Sequence, residues 1–338
     1  MTSQRPIPTI QDVAARAGVS TATVSRAINF PDQVAPKTRD KVNAAIAELG
    51  YSPNFGARVM AARRTNTIGA IIPTMENAIF ARGLQAFQEE LRQHGFTMLV
   101  ASTAYQPTTE EEQIRSLVAR GADALLLIGY HRDPAIYEFL DAQGVPVLLT
   151  WAFDAKADRP SVGFDNHAAM QEMAAKVIDM GHRQLAFISA GTAMNDRAAS
   201  RHEGIKHAME AAGLNSQDLH FIETTYGIEE GAESFERIMQ MKPRPTAVFC
   251  GNDVLAVGAL RRARELGLSV PKDVSVIGFD DIELAQVAYP ALTTVHVPHR
   301  EMGRRAGRAL ARLLRDGEPL KPIELQACPV LRDTLEPV

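Results

Sequence analysis

Cysteine and tryptophan are scarce in this sequence of 338 residues, which contains two cysteines, Cys250 and Cys328, and one tryptophan, Trp151. Two cysteines are too few for a disulfide framework or a cysteine-based zinc site, and they are typical of a reducing cytosol. No apolar run approaches the roughly 18 residues of a membrane-spanning helix, and the first residues lack the apolar segment of a signal peptide. We therefore expect a cytoplasmic protein with no membrane partner.

Motifs of the common enzyme classes are also missing. No GxGxxG sequence follows a predicted strand, and neither GxxxxGK[ST] nor GxSxG occurs. His202, Glu203 and His207 resemble the HExxH zinc motif, but the two histidines are five residues apart and do not share a helix face. We expect no catalytic residues, no metal and no cofactor.

Charge is unevenly distributed along the chain. Residues 1–65 contain nine lysine or arginine residues and four aspartate or glutamate residues, a net charge of +5, while the whole chain carries −4 and the remainder therefore −9. A basic segment joined to an acidic body is typical of a polyanion-binding module fused to a sensor or enzyme. Chance clustering of charge is the alternative that composition leaves open.

The basic segment has the periodicity of short helices. Apolar residues recur at helical spacing in three stretches, at residues 10–17, 24–28 and 42–49. Thr9 and Ser20 precede the first two stretches as N-caps, and Pro36 opens the third. Residues 9–29 therefore predict two short helices joined by a tight turn, which is a helix-turn-helix.

From residue 67 onward, buried strands alternate with amphipathic helices. A first set of strands is predicted at residues 67–73, 96–102, 122–129 and 145–151, and a second at 184–189, 218–224, 246–251 and 273–281. This alternation predicts parallel sheets of crossover units. Two such sets predict two α/β lobes, with ligands bound outside the carboxyl ends of the strands.

The sequence TIQDVAARAGVSTATVSRAIN (9–29) closely resembles the DNA-binding head of the lactose/galactose repressor (LacI/GalR) family. The resemblance continues through APKTRDKVNAAIAELGYSPN (35–54) and extends over the whole chain. Its further motifs are VGFDN (162–166), GH (181–182), RHEG (201–204), GNDVLAVGAL (251–260), VSVIGFDD (274–281) and YPALTTV (289–295).

The resemblance implies a transcriptional regulator of the repressor type. Its fold would be an all-α helix-turn-helix head followed by an α/β core of two doubly wound parallel-sheet subdomains of the periplasmic-binding-protein type. We expect the head at residues 1–52, a hinge helix and linker at 53–66, and an effector-binding and dimerisation core at 67–338. Crossovers near 163–166, 295–298 and 324–327 would divide the core into subdomain 1 (about 67–163 and 298–324) and subdomain 2 (about 166–295 and 327–338).

By resemblance, Thr21 and Ala22 open the recognition helix and carry much of the operator specificity. Thr21 offers a hydroxyl to a base, and Ala22 offers a methyl group to thymine. Arg26 lies on the same face, where its guanidinium suits guanine O6 and N7, with a phosphate contact as the alternative. Five small polar residues suit phosphate anchoring or helix capping: Thr9, Ser20, Thr23, Ser25 and Asn29.

The hinge departs from the family pattern at Met60, where the family usually has a leucine that wedges into the minor groove. Methionine is able to unstack a base step, although its flexibility makes the wedge less defined. Gly56 further weakens the free hinge helix. We expect Arg58 to face phosphates or the minor groove, and we include Asn54 among the DNA-binding residues.

Four polar residues at predicted strand-to-helix junctions are the candidate effector contacts. Arg201 is the effector-anchoring arginine by resemblance. Arg197 lies one turn earlier, and two guanidinium groups this close favour an anion between them, with pairing to Asp196 as the alternative. Asn252 and Asp280 are expected to bind ligand hydroxyl groups, and Asp253 is expected to cap the following helix.

Aromatic residues are the candidates for covering the apolar face of a sugar, although packing explains each of them equally well. They are Phe80, Tyr130, Trp151, Tyr226 and Phe279. The expected effector is a sugar, a polyol or a sugar acid. Whether it releases or tightens the operator complex is left open.

The expected partners are a palindromic operator and a second copy of the chain. The chain ends in RDTLEPV without the leucine heptads of tetrameric family members, which favours a dimer. A transport receptor is a second hypothesis, which the basic head and the missing signal peptide disfavour. A sugar-metabolising enzyme is a third, which the missing nucleotide and nucleophile motifs disfavour.

Overall fold

The computed structural model describes residues 8–52 and 64–338, and the chain divides into two units between residues 65 and 66. Three helices form the N-terminal unit: α1 (Ile10–Ala17), α2 (Thr21–Asn29) and α3 (Pro36–Leu49). Their apolar faces meet in a core of six buried residues, which are Val13, Ala14, Val24, Ala27, Val42 and Ala45. The helix-turn-helix prediction is confirmed.

The ends of these helices are where the sequence predicts them. Thr9 and Asp12 form a capping box at the start of α1, in which the Asp12 carboxylate accepts from the Thr9 N–H at 2.7 Å. Ser20 Oγ accepts from the Thr23 N–H at 3.1 Å and caps α2. Gly18 ends α1 with a φ of 67°, a left-handed conformation that suits glycine and turns the chain toward α2.

The first lobe of the second unit is built on six parallel strands. They are β1 (Thr67–Ile72), β2 (Thr97–Ser102), β3 (Ala124–Ile128), β4 (Val147–Thr150), β5 (Ser161–Gly163) and β11 (Ile323–Glu324). Their order in the sheet is β11-β5-β4-β3-β1-β2. The helices of this lobe are α4 (Ala78–Gln93), α5 (Pro107–Ala119), α6 (Pro134–Ala142) and α12 (His299–Asp316). Helices α4 and α12 pack on one face of the sheet, and α5 and α6 pack on the other.

The second lobe has a parallel sheet of four strands. They are β6 (Leu185–Ser189), β7 (His220–Glu223), β8 (Ala247–Cys250) and β9 (Ser275–Ile277), in the order β7-β6-β8-β9. Its helices are α7 (Asn166–Asp179), α8 (Asp196–Ala211), α9 (Ile228–Met239), α10 (Asp253–Glu265) and α11 (Glu283–Val287). Two short strands, β10 (Thr294–His296) and β12 (Cys328–Val330), form an antiparallel pair.

The chain passes between the two lobes three times. The passages lie between β5 and α7, between β10 and α12, and between β11 and β12. One apolar cluster contains residues of both lobes, including Trp151 of the first and Phe279 of the second. The carboxyl ends of β3 and β4 in one lobe and of β6, β8 and β9 in the other therefore lie near the line where the lobes meet.

All eight strands predicted from the sequence are present, and the two-sheet α/β architecture is confirmed. Strands β5, β10, β11 and β12 are not predicted, because segments of two or three residues carry no periodicity. None of the helices within residues 8–52 and 64–338 is long and apolar enough to cross a bilayer.

Candidate functional site

The exposed face of α2 carries the residues predicted to read DNA bases. Thr21, Ala22 and Arg26 are exposed, while Val24 and Ala27 of the same helix are buried in the core of the head. Within the described residues, Arg26 forms no ion pair. A helix with its apolar side buried and one unpaired guanidinium on its exposed side is suited to a groove of DNA.

The small polar residues of the head are partly used within it. The Thr9 hydroxyl bonds to Asp12 at 2.7 Å, and the Ser20 and Thr23 hydroxyls lie 2.9 Å apart at the start of α2. Asn29 Nδ2 donates to Ser25 Oγ at 3.3 Å. These five residues therefore cap and brace the head, and their contact with phosphates stays a prediction. The other three predicted contacts, Asn54, Arg58 and Met60, lie outside the described residues.

A cavity between the two lobes gathers seven of the eight predicted effector contacts. The space that no protein atom fills is about 380 Å³ including the part open to solvent, and about 30 Å³ of room remains for the centres of water molecules. The predicted residues in its wall are Phe80, Trp151, Arg197, Arg201, Tyr226, Asn252 and Asp280. Ile79 and Gly251 also line it, together with polar and aromatic residues that were not predicted as effector contacts: Asn77, Tyr105, Phe164, Asn166 and Asn195.

Tyr130 is not among the residues that line this cavity. Its hydroxyl donates to Ser161 Oγ at 2.7 Å and accepts from the Asp154 N–H at 3.1 Å. These bonds tie the ring to the end of the first-lobe sheet. Phe279, the other predicted aromatic outside the wall, is fully buried beneath the guanidinium of Arg201, which lies 4.7 Å from the ring centroid.

Arg201 is held rigidly in the wall of the cavity. Only 7% of the residue is exposed. Its Nη1 donates to Asn166 Oδ1 at 2.6 Å, and its Nη2 donates to the Tyr226 hydroxyl at 3.1 Å. The Nε–H is buried without a partner among the described residues. A fixed, buried guanidinium suits orientation of a polar ligand.

Asp280 places a buried carboxyl group opposite this arginine. Burial, reinforced by the nearby charge of Asp253, raises the pKa of Asp280 well above its usual value, while Arg201 acts in the opposite direction. Burial also raises the pKa of Asp253 to about 7, although its oxygens accept from the Ile282 N–H at 2.8 Å and from Thr294 Oγ1 at 2.6 Å. Of these two buried carboxyl groups, only that of Asp280 lines the cavity, where ligand hydroxyl groups are suitable partners for it.

Asn252, and not Asp253, caps α10. The Asn252 Oδ1 accepts from the Leu255 N–H at 2.9 Å, so the expectation that Asp253 would cap this helix is wrong. The physical reason is that Asp253 is the first helical residue, with its carboxylate bonded to the loop after β9. The Asn252 Nδ2 is buried without a partner in the described part of the chain and offers a hydrogen-bond donor at the cavity.

Non-glycine residues with left-handed backbone conformations cluster at this cavity. Trp151, Tyr105 and Asp280 have φ angles of 59°, 59° and 104°. Such conformations cost energy for residues with a side chain, and they persist where the surrounding fold imposes them. Each of these side chains lines the cavity, so the strained backbone conformations position residues of its wall.

Arg197 is paired with Asp196, which is the alternative that the sequence left open. Arg197 Nη1 and Asp196 Oδ1 are 2.8 Å apart. Asp196 Oδ2 also accepts from the Tyr130 N–H at 2.5 Å, and that N–H belongs to the loop after β3 in the first lobe. Burial opposes ionisation of Asp196, but Arg197 and the Tyr130 and His131 amides together lower its pKa below the usual value. Asp196 therefore joins the second lobe to the first and already neutralises Arg197.

No group of three or more potential metal ligands occurs within residues 8–52 and 64–338.

Comparison with protein families gives two matches. A model described as bacterial regulatory proteins, lacI family, matches residues 9–54. A model described as a periplasmic binding protein-like domain matches residues 174–335. The first covers the helix-turn-helix, and the second covers most of the second lobe together with α12.

Curated proteins similar to this chain include transcriptional regulators. The HTH-type transcriptional regulator GntR of Escherichia coli (strain K12) is 33% identical over 323 residues, which are 95% of this chain and 96% of that protein. The HTH-type transcriptional repressor PurR of Salmonella paratyphi B (strain ATCC BAA-1250 / SPB7) is 36% identical over 321 residues, 94% of each chain.

The solved structures similar to this chain include the lac repressor dimer bound to operator and the anti-inducer ONPF. That structure has a TM-score of 0.84 and 27% sequence identity, and the match covers 97% of this chain and 98% of that one.

The contact between Asp196 and the loop after β3 depends on Gly129. This glycine has a φ of 70°, and a Cβ there would collide with Arg197 Nη1 and Asp196 Oδ1. We expect Gly129→Ala to separate Asp196 from the Tyr130 and His131 amides, so that hydrogen exchange in residues 129–133 becomes faster. Hydrogen-exchange mass spectrometry of the wild type and the variant measures this.

Gly144→Ala is the matched control. Gly144 has a φ of 65°, but a Cβ there meets nothing within 4 Å, so the variant carries the same backbone penalty without the collision. Exchange in residues 129–133 should not change in this control. Equal acceleration in both variants would contradict the proposed dependence on Asp196.

Proposed function

Because the chain belongs to the lacI family of bacterial regulatory proteins and is a DNA-binding transcriptional regulator rather than an enzyme, we propose that a small polar molecule in the interlobe cavity controls its hold on the operator. The observation that carries this proposal is the convergence of Arg201, Asn252 and Asp280 on one cavity between two lobes. We infer a cytoplasmic repressor, since its targets are DNA and a small metabolite.

The head is proposed to read the operator through the exposed face of α2. Thr21 and Ala22 stand at the start of this helix, which is the part that meets base edges when a recognition helix lies in the major groove. Arg26 is one turn further on, with its guanidinium unpaired within the described residues. The net charge of +5 in residues 1–65 supports attraction to the phosphates. Asn54, Arg58 and Met60 are proposed to complete the contact in the minor groove.

The effector is proposed to be a neutral sugar or polyol. An acidic effector would need two unpaired guanidinium groups in the wall, and Asp196 lies 2.8 Å from that of Arg197. The remaining cation in the wall, Arg201, faces the buried carboxyl group of Asp280, so the site has donors and acceptors of both kinds. Hydroxyl groups donate and accept hydrogen bonds and therefore satisfy both kinds of group. A ligand carboxylate would instead place a second acidic group beside Asp280, which disfavours the ionised form of both.

A dimer is proposed as the operator-binding form, as in the lac repressor dimer bound to operator. Tyr289 is 90% exposed and Val287 is 75% exposed, so they are among the most exposed large apolar side chains in the described part of the chain. Two such neighbours are unfavourable in water and favour cover by another protein surface. We assign this cover to a second copy of the chain.

Arg26→Ala should cost specificity as well as affinity. Losing one bidentate base contact is worth about 1–3 kcal/mol of discrimination. We expect the ratio of affinities for an operator selected from random DNA and for its single-base variants to fall at one base pair of each half-site. Fluorescence anisotropy with both DNAs measures that ratio.

Lys41→Ala removes an equal charge from the exposed side of α3 and serves as the control. It should weaken binding to all sequences alike or have no effect. If Arg26→Ala also weakens binding to every sequence by the same factor, Arg26 contacts only phosphate.

Asp280→Asn and Arg201→Gln should abolish the effector response while operator binding without effector survives. The effector is sought by thermal shift in pairs of a neutral sugar and its acid, such as glucose and gluconate, because a ligand of the native state raises its melting temperature. Asp316→Asn, which changes an exposed carboxylate of α12, is the control and should respond as the wild type does.

A response of either variant at wild-type effector concentrations would contradict this placement of the site. Tighter binding of the acid than of its neutral partner would contradict the proposed ligand class but not the site.

Tyr289→Asp should convert the dimer into a monomer, since a charge would have to be buried in the interface. Sedimentation velocity of the wild type and the variant measures the assembly state. The exposed Val338→Asp is the control and should leave it unchanged. A dimer of undiminished stability in Tyr289→Asp would place the interface elsewhere.

A further inference from the structure

The indole ring of Trp151 lines the cavity, and His299, which does not line it, holds the ring by a hydrogen bond. Trp151 is the only tryptophan of the chain, it is 3% exposed, and it directly follows β4 in the first lobe. Its Nε1–H donates to His299 Nδ1 at 3.2 Å. The two rings stack with centroids 6.2 Å apart, and Phe80 lies against the indole on the cavity side at 5.3 Å.

This hydrogen bond determines the state of the imidazole ring. His299 is the first residue of α12 and is 3% exposed. Burial lowers the pKa of His299 to about 3, so the ring is neutral near pH 7. Since Nδ1 accepts the indole proton, the single ring proton must be on Nε2.

The Nε2–H points to the other lobe without completing a hydrogen bond. It is a buried donor with no partner among the described residues. The Asp280 Oδ1 lies 3.9 Å from it, which is beyond hydrogen-bond length. The Asp280 backbone carbonyl also faces the ring and partly offsets the effect of burial on its pKa. Asp280 is therefore the residue of the second lobe whose oxygen atoms could accept a hydrogen bond from this N–H after a small shift.

We infer that His299 is a positioning residue for the effector site, which fixes the Trp151 indole through Nδ1 and holds Nε2–H for the Asp280 carboxyl group. Indole, imidazole and carboxyl then act as one unit across the line where the lobes meet. A carboxyl group that accepts from Nε2–H makes Nδ1 a better acceptor, by the same polarisation that a carboxylate exerts on a metal-bound histidine. The link between this unit and an effector rests on the proposed function.

The single tryptophan makes the unit measurable without an effector. The ¹⁵N-labelled protein has one indole N–H signal in a TROSY spectrum, and its proton shift reports the bond to His299. We expect His299→Phe to move this signal upfield and to speed its exchange with water. His299→Asn retains an acceptor near the position of Nδ1 and should leave the signal close to that of the wild type.

Asp280→Ala tests the second half of the unit. It should move the indole signal upfield by less than His299→Phe does, and it should cause no further shift when His299 is already phenylalanine. A merely structural role for His299 predicts additive shifts in the double variant. The variant Asp281→Ala, which removes a carboxylate bonded to Arg332 and His296, should leave the signal in place.

Three results would overturn the inference. An unchanged indole signal in His299→Phe would refute the role of Nδ1. An unchanged signal in Asp280→Ala, or additive shifts in the double variant, would refute the role of Nε2. If His299→Phe fails to fold, His299→Asn decides the first point, because loss of the indole bond there also contradicts the inference. Failure of the proposed function would appear instead in the thermal-shift measurements with neutral sugars and their acids.

Discussion

Burial of the Asp280 carboxyl group is the constraint on which the arrangement of the core depends. A carboxyl group removed from water needs hydrogen-bond partners or a compensating charge. The groups that face it come from both lobes: Arg201 and Asn252 from the second, and His299 from the first. Several of their donors have no partner among the described residues. Ligand hydroxyl groups would satisfy those of Arg201 and Asn252, which line the cavity, whereas the His299 donor faces Asp280.

The fold was accessible to sequence reasoning wherever one local pattern dominates. Apolar runs identify the eight predicted strands, and the polar caps at Thr9 and Ser20 with Pro36 identify the three head helices. The strands β5, β10, β11 and β12 escaped because their two or three residues pair through tertiary placement and not through local propensity. The order of strands in each sheet follows from packing of helices on both faces, which the alternation of elements predicts only in outline.

The candidate site was accessible only in part. Arg201, Asn252 and Asp280 stand at strand ends, where parallel sheets place ligand-binding residues. Tyr130 occupies a similar position, yet its hydroxyl bonds to the sheet. The turn after a strand decides whether a side chain at the strand end points to the cavity or back to the sheet. Sequence patterns do not identify His299 as a site residue, because it is not at a strand end and its role depends on an indole 148 residues away in the chain.

Regulation by a ligand requires that the ligand bind two states of the protein differently, and the coupling must be reciprocal. Residues of both lobes line the cavity, so a ligand bound there contacts both lobes at once. The most direct test is isothermal titration of the effector found in the sugar panel into free protein and into protein saturated with operator. The two effector affinities should differ by the same factor by which the effector changes operator affinity. Equal effector affinities in the two titrations would contradict control of DNA binding from this cavity.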